Sequence, residues 1–347
     1  MTRSIEEFSE ILQREASLAP LTWLRVGGPA EYLLTPRNEA ELLDVLHVCR
    51  AQGIPVHILG SGSNLLVRDA GVRGAVIRVT EPVLAEISIS DTQVTAGGGT
   101  LLSRLVTEAA RAGLGGVEHL VGIPGTVGGA VVGNSGGRQG DIGQLVQSIR
   151  VLTQDGEVAV RRGDELSFAY RRSSFQDALV LSVTLQLQRD DSEELTRRMR
   201  KNWIMKRSTQ PLADQSAGCI FRNPRGLSAG ALIEQSGLKN AASGKARVSE
   251  RHANFIVTEA GATATDVEEL IERIRKRGIE MEGGISENYL RALVDQYSRY
   301  FHDYDAAPIL IVNTERLNPV DNEDDFQMLL RQLADLRGRR SFFSVGQ

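Results

Sequence analysis

Residues 121–137 constrain the chain most, because seven of them are glycine and none carries a charge. A loop with so few side chains lets backbone N–H groups approach a ligand, and successive N–H groups form concave nests for phosphate oxygens. A second glycine-rich loop, residues 60–64, follows the apolar run Val56–Leu59. Either loop alone is equally well explained as a tight turn. The pair predicts one long, phosphate-bearing ligand that is held at two places.

The composition argues against several classes of function. The net charge is −4 and the chain has no block rich in lysine or arginine, which argues against nucleic acid as a partner. No apolar run reaches membrane-spanning length, and the first residues lack the apolar core of a signal peptide. Two cysteines, Cys49 and Cys219, and five scattered histidines indicate neither a disulfide framework nor a metal site. We therefore expect a cytoplasmic protein of two or three domains, with no metal, no membrane association and no obligate protein partner.

Local patterns predict a mixture of helices and strands. Apolar residues at helical spacing predict a helix over Glu39–Ala51, which leads to the strand Val56–Leu59. Two short runs around Asp155 and Gly156 predict a β-hairpin of 149–153 with 157–161. Further helices are expected at 101–112, 192–207 (capped by Ser192), 229–236, 267–276 (capped by Thr265 and Asp266) and 326–336. Further strands are expected at 75–79, 180–187, 254–257 and 308–313.

Three groups of polar residues are candidates for chemistry. Tyr170 and Arg171 lie between two predicted strands, where a buried arginine beside a tyrosine would stabilise an anion with its charged fork; the alternative is an ordinary surface pair. Cys219 follows a glycine in a segment bounded by turn-forming residues, so its thiol is either a proton donor or an inert buried side chain. The third group either binds a polar ligand or ends a helix, and consists of Lys239, Ser249, His252 and Asn254.

The order of these motifs resembles that of the UDP-N-acetylenolpyruvoylglucosamine reductase family. The similarity covers about residues 15–277, and no insertion follows Tyr170, as in the shorter of the family's two types. The similar segments are LTWLRVGGPAEY (21–32), LGSGSNLLVRD (59–69), GIPGTVGGA (122–130), YRRS (170–173), AGCIFRNP (217–224), AGALIEQSGLK (229–239) and VSERHANF (248–255).

The resemblance implies an α+β fold with a two-subdomain FAD-binding part of the vanillyl-alcohol-oxidase (PCMH) type. The subdomains would be residues 1–80 and 81–208, followed by an α+β substrate domain at 209–277 and a helical extension at 278–347. FAD would be the cofactor and NADPH the co-substrate. The reaction would reduce UDP-N-acetylenolpyruvoylglucosamine to UDP-N-acetylmuramate for peptidoglycan synthesis.

The family's site residues carry over to matching positions of this chain. Arg171 would hold the enolpyruvyl carboxylate and stabilise the enolate-like charge of the reaction, and Cys219 stands where the family usually has a serine proton donor. The expected substrate contacts are Tyr170, Lys239 and Asn254. The expected FAD contacts are Gly60, Ser61, Gly62, Ser63, Asn64, Leu65, Gly122, Ile123, Pro124, Gly125, Thr126, Gly128 and Gly129.

The C-terminal part departs from the family. The family's catalytic glutamate falls on Gly284, and Glu282 would replace it if this segment were a strand. From about residue 275 the chain resembles the C-terminal piece of deoxynucleoside kinases, but it has no phosphate-binding G-x-x-x-x-G-K-[ST] loop, which argues against kinase activity. Two alternatives to an active reductase follow: a catalytically impaired flavin- and nucleotide-binding protein, and a flavin oxidase of the same fold.

Overall fold

The structure is a computed structural model that describes residues 4–80, 83–137, 139–153, 156–175, 179–224, 227–283, 309–313, 317, 322–334 and 340–344. The chain divides into two compact units, Met1–Gly278 and Ile279–Gln347. The first unit contains three sheets of three or more strands together with helices, which confirms the predicted α+β class. None of the described helices is long and apolar enough to cross a membrane.

The first sheet is mixed and has four strands in the order β1-β2-β4-β3. β1 is antiparallel to β2, and β4 is parallel to both β2 and β3. The strands are β1 Leu12–Ser17, β2 Pro29–Leu34, β3 Val56–Leu59 and β4 Val72–Arg78. The predicted helix α1, Glu39–Ala51, is confirmed; Asn38 caps it, and its buried Leu42, Val45 and Val48 belong to the core that contains Ala75 and Ile77 of β4.

The second sheet is antiparallel and has five strands in the order β8-β7-β9-β6-β5. The predicted hairpin is confirmed as β7–β8, and its turn includes Gly156 with φ +80°. The strands are β5 Ile87–Ser90, β6 Gln93–Gly97, β7 Val146–Leu152, β8 Val158–Arg162 and β9 Leu179–Gln186. Helices α2, Leu102–Arg111, and α3, Val127–Val132, contribute buried residues to the core of this sheet.

Helix α4, Ser192–Thr209, follows the second sheet, and its cap differs from the prediction. Asp191 is the N-cap, because its Oδ1 accepts a hydrogen bond from the Glu194 N–H at 2.8 Å, and Ser192 is already the first helical residue. The helix has glutamates in its first turn and Lys206 and Arg207 in its last, an order that favours the helix dipole. Only Leu195 is buried, so most of this helix faces solvent.

The third sheet has three short antiparallel strands, β10 Ala242–Ser243, β11 Ala246–Val248 and β12 Ile256–Thr258. The strand predicted at 254–257 begins two residues later, because the Phe255 N–H closes a turn onto the His252 carbonyl. Helix α5, Ala229–Gln235, and helix α6, Ala264–Gly283, follow the sequence pattern, but α6 is longer at both ends. Thr263 and Asp266, rather than Thr265 and Asp266, form its capping box.

The continuation of α6 to Gly283 corrects the expectation of a strand around Glu282. Residues 276–283 contain no proline, and their one internal glycine, Gly278, weakens a helix by only about 1 kcal/mol relative to alanine. Glu282 therefore lies in the last turn of a helix, and its side chain lies outside the described residues, as does all of Gly284.

The second unit contains a parallel strand pair, β13 Ile309–Asn313 and β14 Arg340–Ser344. Helix α7, Glu323–Ala334, lies between these strands in the sequence. The helix predicted at 326–336 begins earlier, because Asn322 Oδ1 accepts a hydrogen bond from the Asp324 N–H at 3.0 Å and caps the first turn.

Candidate active site

The two glycine-rich loops lie against each other. A Cβ built on Gly60 would be 3.0 Å from Thr126 Oγ1, and one built on Gly125 would be 3.0 Å from Ser63 Oγ. Gly62 and Gly125 have φ of +67° and +121°, conformations that other residues rarely adopt. Two segments about 60 residues apart in sequence therefore form one surface, and glycine is needed at this junction.

The backbone N–H groups of this surface are available to a ligand. Among the described residues, no acceptor faces the N–H groups of residues 61–64, Gly125 or Thr126. Ser61 Oγ is also buried, and it has no hydrogen-bond partner in the described part of the chain. Since buried polar groups in proteins are nearly always paired, this concentration of donors fits an anionic group such as the diphosphate of FAD.

A cleft of about 1520 Å³ adjoins the two loops. One wall is β3 and the first loop, with Ile58 and Leu65 each 42 % exposed, and the other includes Leu152 and Val180 from the second sheet. Of the predicted cofactor residues, Gly60, Leu65, Thr126, Gly128 and Gly129 line it. Among the N–H donors named above, the lining includes only Thr126, so the cleft supplies mainly apolar walls next to the junction of the two loops, as the flat rings of a long ligand require.

The beginning of the second loop is held by α4. A Cβ on Gly122 would be 3.0 Å from the ring of Trp203, and Lys206 Nζ donates to the carbonyls of His119 at 3.1 Å and Val121 at 2.6 Å. Burial lowers the pKa of Lys206 to about 8. Gly122 therefore faces α4, and no local sequence pattern indicates that Trp203 and Lys206 support this loop.

Tyr170 and Arg171 form the tip of a short hairpin, in which residues 168–169 pair with residues 172–173. Both residues are exposed rather than buried, because the tip of the hairpin projects from the two paired strands. Arg171 has φ +58°, a strained conformation for a side chain other than glycine. The hairpin is held by the Asn134 amide, which donates to the Ala169 carbonyl at 3.0 Å, and by Ser173 Oγ, which donates to the Val132 carbonyl at 2.8 Å. Asn134 is buried and was not found by sequence reasoning, because its role depends on a partner 35 positions away.

The loop that carries Cys219 contacts this hairpin. The Arg222 guanidinium donates to the Arg171 carbonyl, and the Asn223 N–H donates to Tyr170 Oη, each at 3.4 Å. The Cys219 residue is exposed, yet nearby protein atoms desolvate its thiol enough to raise its pKa, an effect that the positive charge of Arg171 opposes. The structure therefore brings the Tyr170–Arg171 hairpin and the loop that carries Cys219 together.

Asn254 and Lys239 have hydrogen-bond or ion-pair partners within the protein. Asn254 is buried, and its amide bonds to the backbone of Phe221, so it supports the Cys219 loop. Lys239 Nζ lies 2.7 Å from Glu234 Oε1. His252 accepts the Asn254 N–H at 3.2 Å, and burial lowers the pKa of its imidazole.

Family models match three parts of the chain. Residues 30–161 match the FAD binding domain, and residues 210–286 match the C-terminal domain of UDP-N-acetylenolpyruvoylglucosamine reductase. Residues 263–336 match deoxynucleoside kinase, which confirms the resemblance expected for the tail. Together with the two glycine loops, the first match confirms the predicted flavin-binding fold.

Relatives and a solved structure extend these matches. The UDP-N-acetylenolpyruvoylglucosamine reductase of Heliobacterium modesticaldum is 42% identical over 294 residues, 82% of this chain and 93% of that protein. The one from Moorella thermoacetica is 44% identical over 279 residues, 79% of this chain and 91% of that protein. The crystal structure of the Thermus caldophilus reductase has a TM-score of 0.67 and 42% identity, covering 76% of this chain and 94% of that one. With identity above 40% across almost the whole of these relatives and a shared fold, the chain belongs to the UDP-N-acetylenolpyruvoylglucosamine reductase family.

Proposed function

We propose that this protein reduces UDP-N-acetylenolpyruvoylglucosamine to UDP-N-acetylmuramate with FAD as cofactor and NADPH as co-substrate, in the cytoplasm, for peptidoglycan synthesis. One observation carries the proposal: two glycine loops with unpaired N–H groups meet in the same compact unit as the Arg171–Cys219 cluster. The chemistry that FAD supplies when bound is hydride transfer from NADPH to the enolpyruvyl double bond.

The glycine loops would hold FAD by its diphosphate. The N–H groups of residues 61–64, Gly125 and Thr126 donate to no protein group in the described chain, and Ser61 Oγ adds a side-chain donor. Leu65, Gly128 and Gly129 would line the cleft beside it. Gly122, Ile123 and Pro124 would act by shaping the loop against α4, because Gly122 packs on Trp203.

Arg171 would bind the carboxylate of the enolpyruvyl group. A guanidinium presents two parallel N–H donors, which match the two oxygens of a carboxylate. As hydride adds to the double bond, negative charge moves towards that carboxylate, so a fixed positive charge stabilises the transition state more than the substrate. The strained backbone of Arg171, held by Asn134 and Ser173, would fix the direction of this side chain.

Cys219 would donate the proton that completes the reduction, to the carbon that bears the carboxylate. A thiol whose pKa is raised by desolvation stays protonated at neutral pH, as a proton donor must. Tyr170 and Lys239 would contact the UDP-sugar, and Asn254 would hold the Cys219 loop in place. We also propose domain boundaries at residues 80, 208 and 277. Glu282 would be a second acid, and the turnover of Glu282→Gln would test that role.

The experiment adds NADPH and then the enolpyruvyl substrate to the purified yellow protein without oxygen. NADPH should bleach the flavin absorbance, and the substrate should restore it with formation of UDP-N-acetylmuramate. Bleaching without recovery would instead indicate a protein that binds flavin but does not reduce this substrate. A colourless protein that takes up no FAD would contradict the proposal altogether.

A further inference from the structure

The segment that follows the first glycine loop bonds directly to the beginning of α6. Asp69 Oδ1 accepts from the Ala264 N–H at 2.8 Å, and Asp69 Oδ2 accepts from the N–H and the hydroxyl of Thr265 at 2.9 and 2.8 Å. The first N–H groups of a helix have no acceptor within the helix, so they are natural donors to such a carboxylate. Partial burial acts to raise the pKa of Asp69, but these three hydrogen bonds together bring it below its usual value.

The helix does not need Asp69 in order to begin. Thr263 and Asp266 already cap it reciprocally: the Asp266 N–H donates to Thr263 Oγ1 at 3.1 Å and the Thr263 N–H donates to Asp266 Oδ2 at 3.0 Å. Asp69 is therefore a second cap, supplied from 195 positions away. A local cap serves the helix itself, whereas a distant one joins two parts of the chain.

Leu66 and Arg68, close to Asp69 in sequence, also connect the segment after the first glycine loop to the substrate domain. Leu66 packs against two apolar clusters, one containing Leu24, Val26, Ala217 and Ala264, and the other containing Ala246, Ile256, Val267 and Leu270. Arg68 forms an ion pair with Glu268 of α6 at 2.9 Å. Ala217 lies two residues before Cys219, so this contact leads to the loop that carries the thiol.

The other end of the same segment is the glycine loop. Residues 61–64, whose N–H groups have no protein acceptor in the described chain, precede Leu66 and Asp69 without any intervening helix or strand. A ligand that orders residues 61–64 must therefore also restrict Leu66 and Asp69, which hold α6. By reciprocity, a ligand that holds the substrate domain must favour the ordered glycine loop.

On the basis of the proposed function, we propose that Asp69 is a positioning residue that couples FAD binding to substrate binding. It places the substrate domain, and with it the Cys219 loop, on the loop that holds the FAD diphosphate. Arg68 contributes less, because its ion pair with Glu268 is exposed to solvent.

The first test measures FAD release from the holoenzyme on dilution, followed by flavin fluorescence, with and without UDP-N-acetylmuramate. The product fills the substrate site without turnover. We expect it to slow FAD release about fivefold or more in the wild type, the usual lower range of coupling between two sites. In Asp69→Ala and in the milder Asp69→Asn we expect less than about a twofold effect.

Asp191→Ala is the matched control. It also removes a capping aspartate, the one that accepts the Glu194 N–H at 2.8 Å, but Asp191 directly precedes α4 in sequence and is therefore a local cap. It should keep the wild-type coupling. The proposal is overturned if Asp69→Asn keeps the coupling, if Asp191→Ala loses it equally, or if the wild type shows none.

A second measurement does not depend on bound FAD. Hydrogen exchange of the full-length protein as purified should be faster in Asp69→Asn than in the wild type at residues 264–270 and in β11, and unchanged there in Asp191→Ala. Equal exchange in the wild type and in Asp69→Asn overturns the proposal even if FAD is bound. Absence of FAD binding in the wild type would refute the proposed function, while this comparison still decides whether Asp69 holds the substrate domain.

Discussion

Asn254 satisfies both backbone hydrogen-bonding groups of Phe221. Its Oδ1 accepts from the Phe221 N–H at 2.9 Å, and its Nδ2 donates to the Phe221 carbonyl at 2.8 Å. Cys219 lies two residues before Phe221 and bridges to Phe255, next to Asn254 in sequence. Asn254 therefore fixes the backbone that carries the thiol.

Replacing Asn254 should damage both stability and turnover. Asn254→Leu leaves the Phe221 N–H and carbonyl without partners, and each unpaired buried group costs about 1–3 kcal/mol. We expect a lower urea midpoint and a lower kcat, with FAD still bound. Asn202→Leu is the control, since within the described residues the Asn202 side chain bonds only to Gln139 at the surface, and it should change neither quantity. An Asn254→Leu protein with the wild-type midpoint and kcat would show that the pair of bonds is unimportant.

Gly125→Ala should weaken FAD binding. Its φ of +121° and its contact with Ser63 both disfavour a Cβ, and a side chain in such a backbone region costs about 1–3 kcal/mol. We expect the dissociation constant for FAD, measured by flavin fluorescence, to rise roughly tenfold or more. Gly137→Ala is the matched change in the same glycine-rich segment, because a Cβ there meets nothing within 4 Å. If both variants bind FAD alike, the junction of the two loops does not form the diphosphate site.

Arg171→Lys should lose activity although the positive charge is kept. Lysine is a point charge without the planar fork, so it cannot bind the carboxylate through two parallel bonds. We expect kcat/KM to fall roughly 100-fold to 1,000-fold, as when one donor that stabilises a transition-state charge is removed. Arg172→Lys, at the next and equally exposed position, should remain near wild type. FAD content measured by absorbance should be unchanged in both, and equal activity of the two would exclude the role of Arg171.

Cys219 should give the reaction an alkaline limit. The thiol donates a proton only while it is protonated, so kcat should fall as the pH rises through its raised pKa. Cys219→Ser should remove that limit, because an alcohol does not ionise in this range, and Cys219→Ala should lose turnover at saturating substrate. Cys49→Ala is the control for the other thiol, which lies in the core of the first sheet, and it should keep the wild-type pH profile. Wild-type turnover in Cys219→Ala would refute the assignment.

Local patterns were enough to predict much of the fold. The helical spacing of apolar residues such as Leu42, Leu46 and Val48 predicts α1, and the turn at Gly156 predicts the β7–β8 hairpin, because both depend on neighbours in sequence. The composition of residues 60–64 and 122–129 likewise indicates a ligand loop without any knowledge of the fold.

Long-range contacts could not be predicted in this way. That Gly60 touches Thr126, that Asn134 holds the Arg171 hairpin and that Asp69 caps α6 all depend on pairs brought together by the fold. The contact of the Asn254 amide with Phe221 is of the same kind, because the two residues are 33 positions apart in sequence. A polar residue in a motif marks a site, but only its partners show whether it binds a ligand or positions the residue that does.

Lys206 should raise the free energy of unfolding as the pH rises from about 8 towards 10.5. Its pKa in the folded protein is about 8 because of burial, whereas in the unfolded chain it has the ordinary value of 10.5. Between these values the unfolded chain binds more protons than the folded one, so the contribution of Lys206 to the free energy of unfolding rises with pH. Lys206→Met removes this contribution and leaves the carbonyls of His119 and Val121 without their donor. Urea unfolding at pH 8 and at pH 10 should therefore show a wild-type advantage over Lys206→Met that grows with pH. Lys201→Met, on the exposed face of the same helix, should show no such growth, and an advantage that shrinks with pH would mean that Lys206 keeps its proton in the folded protein.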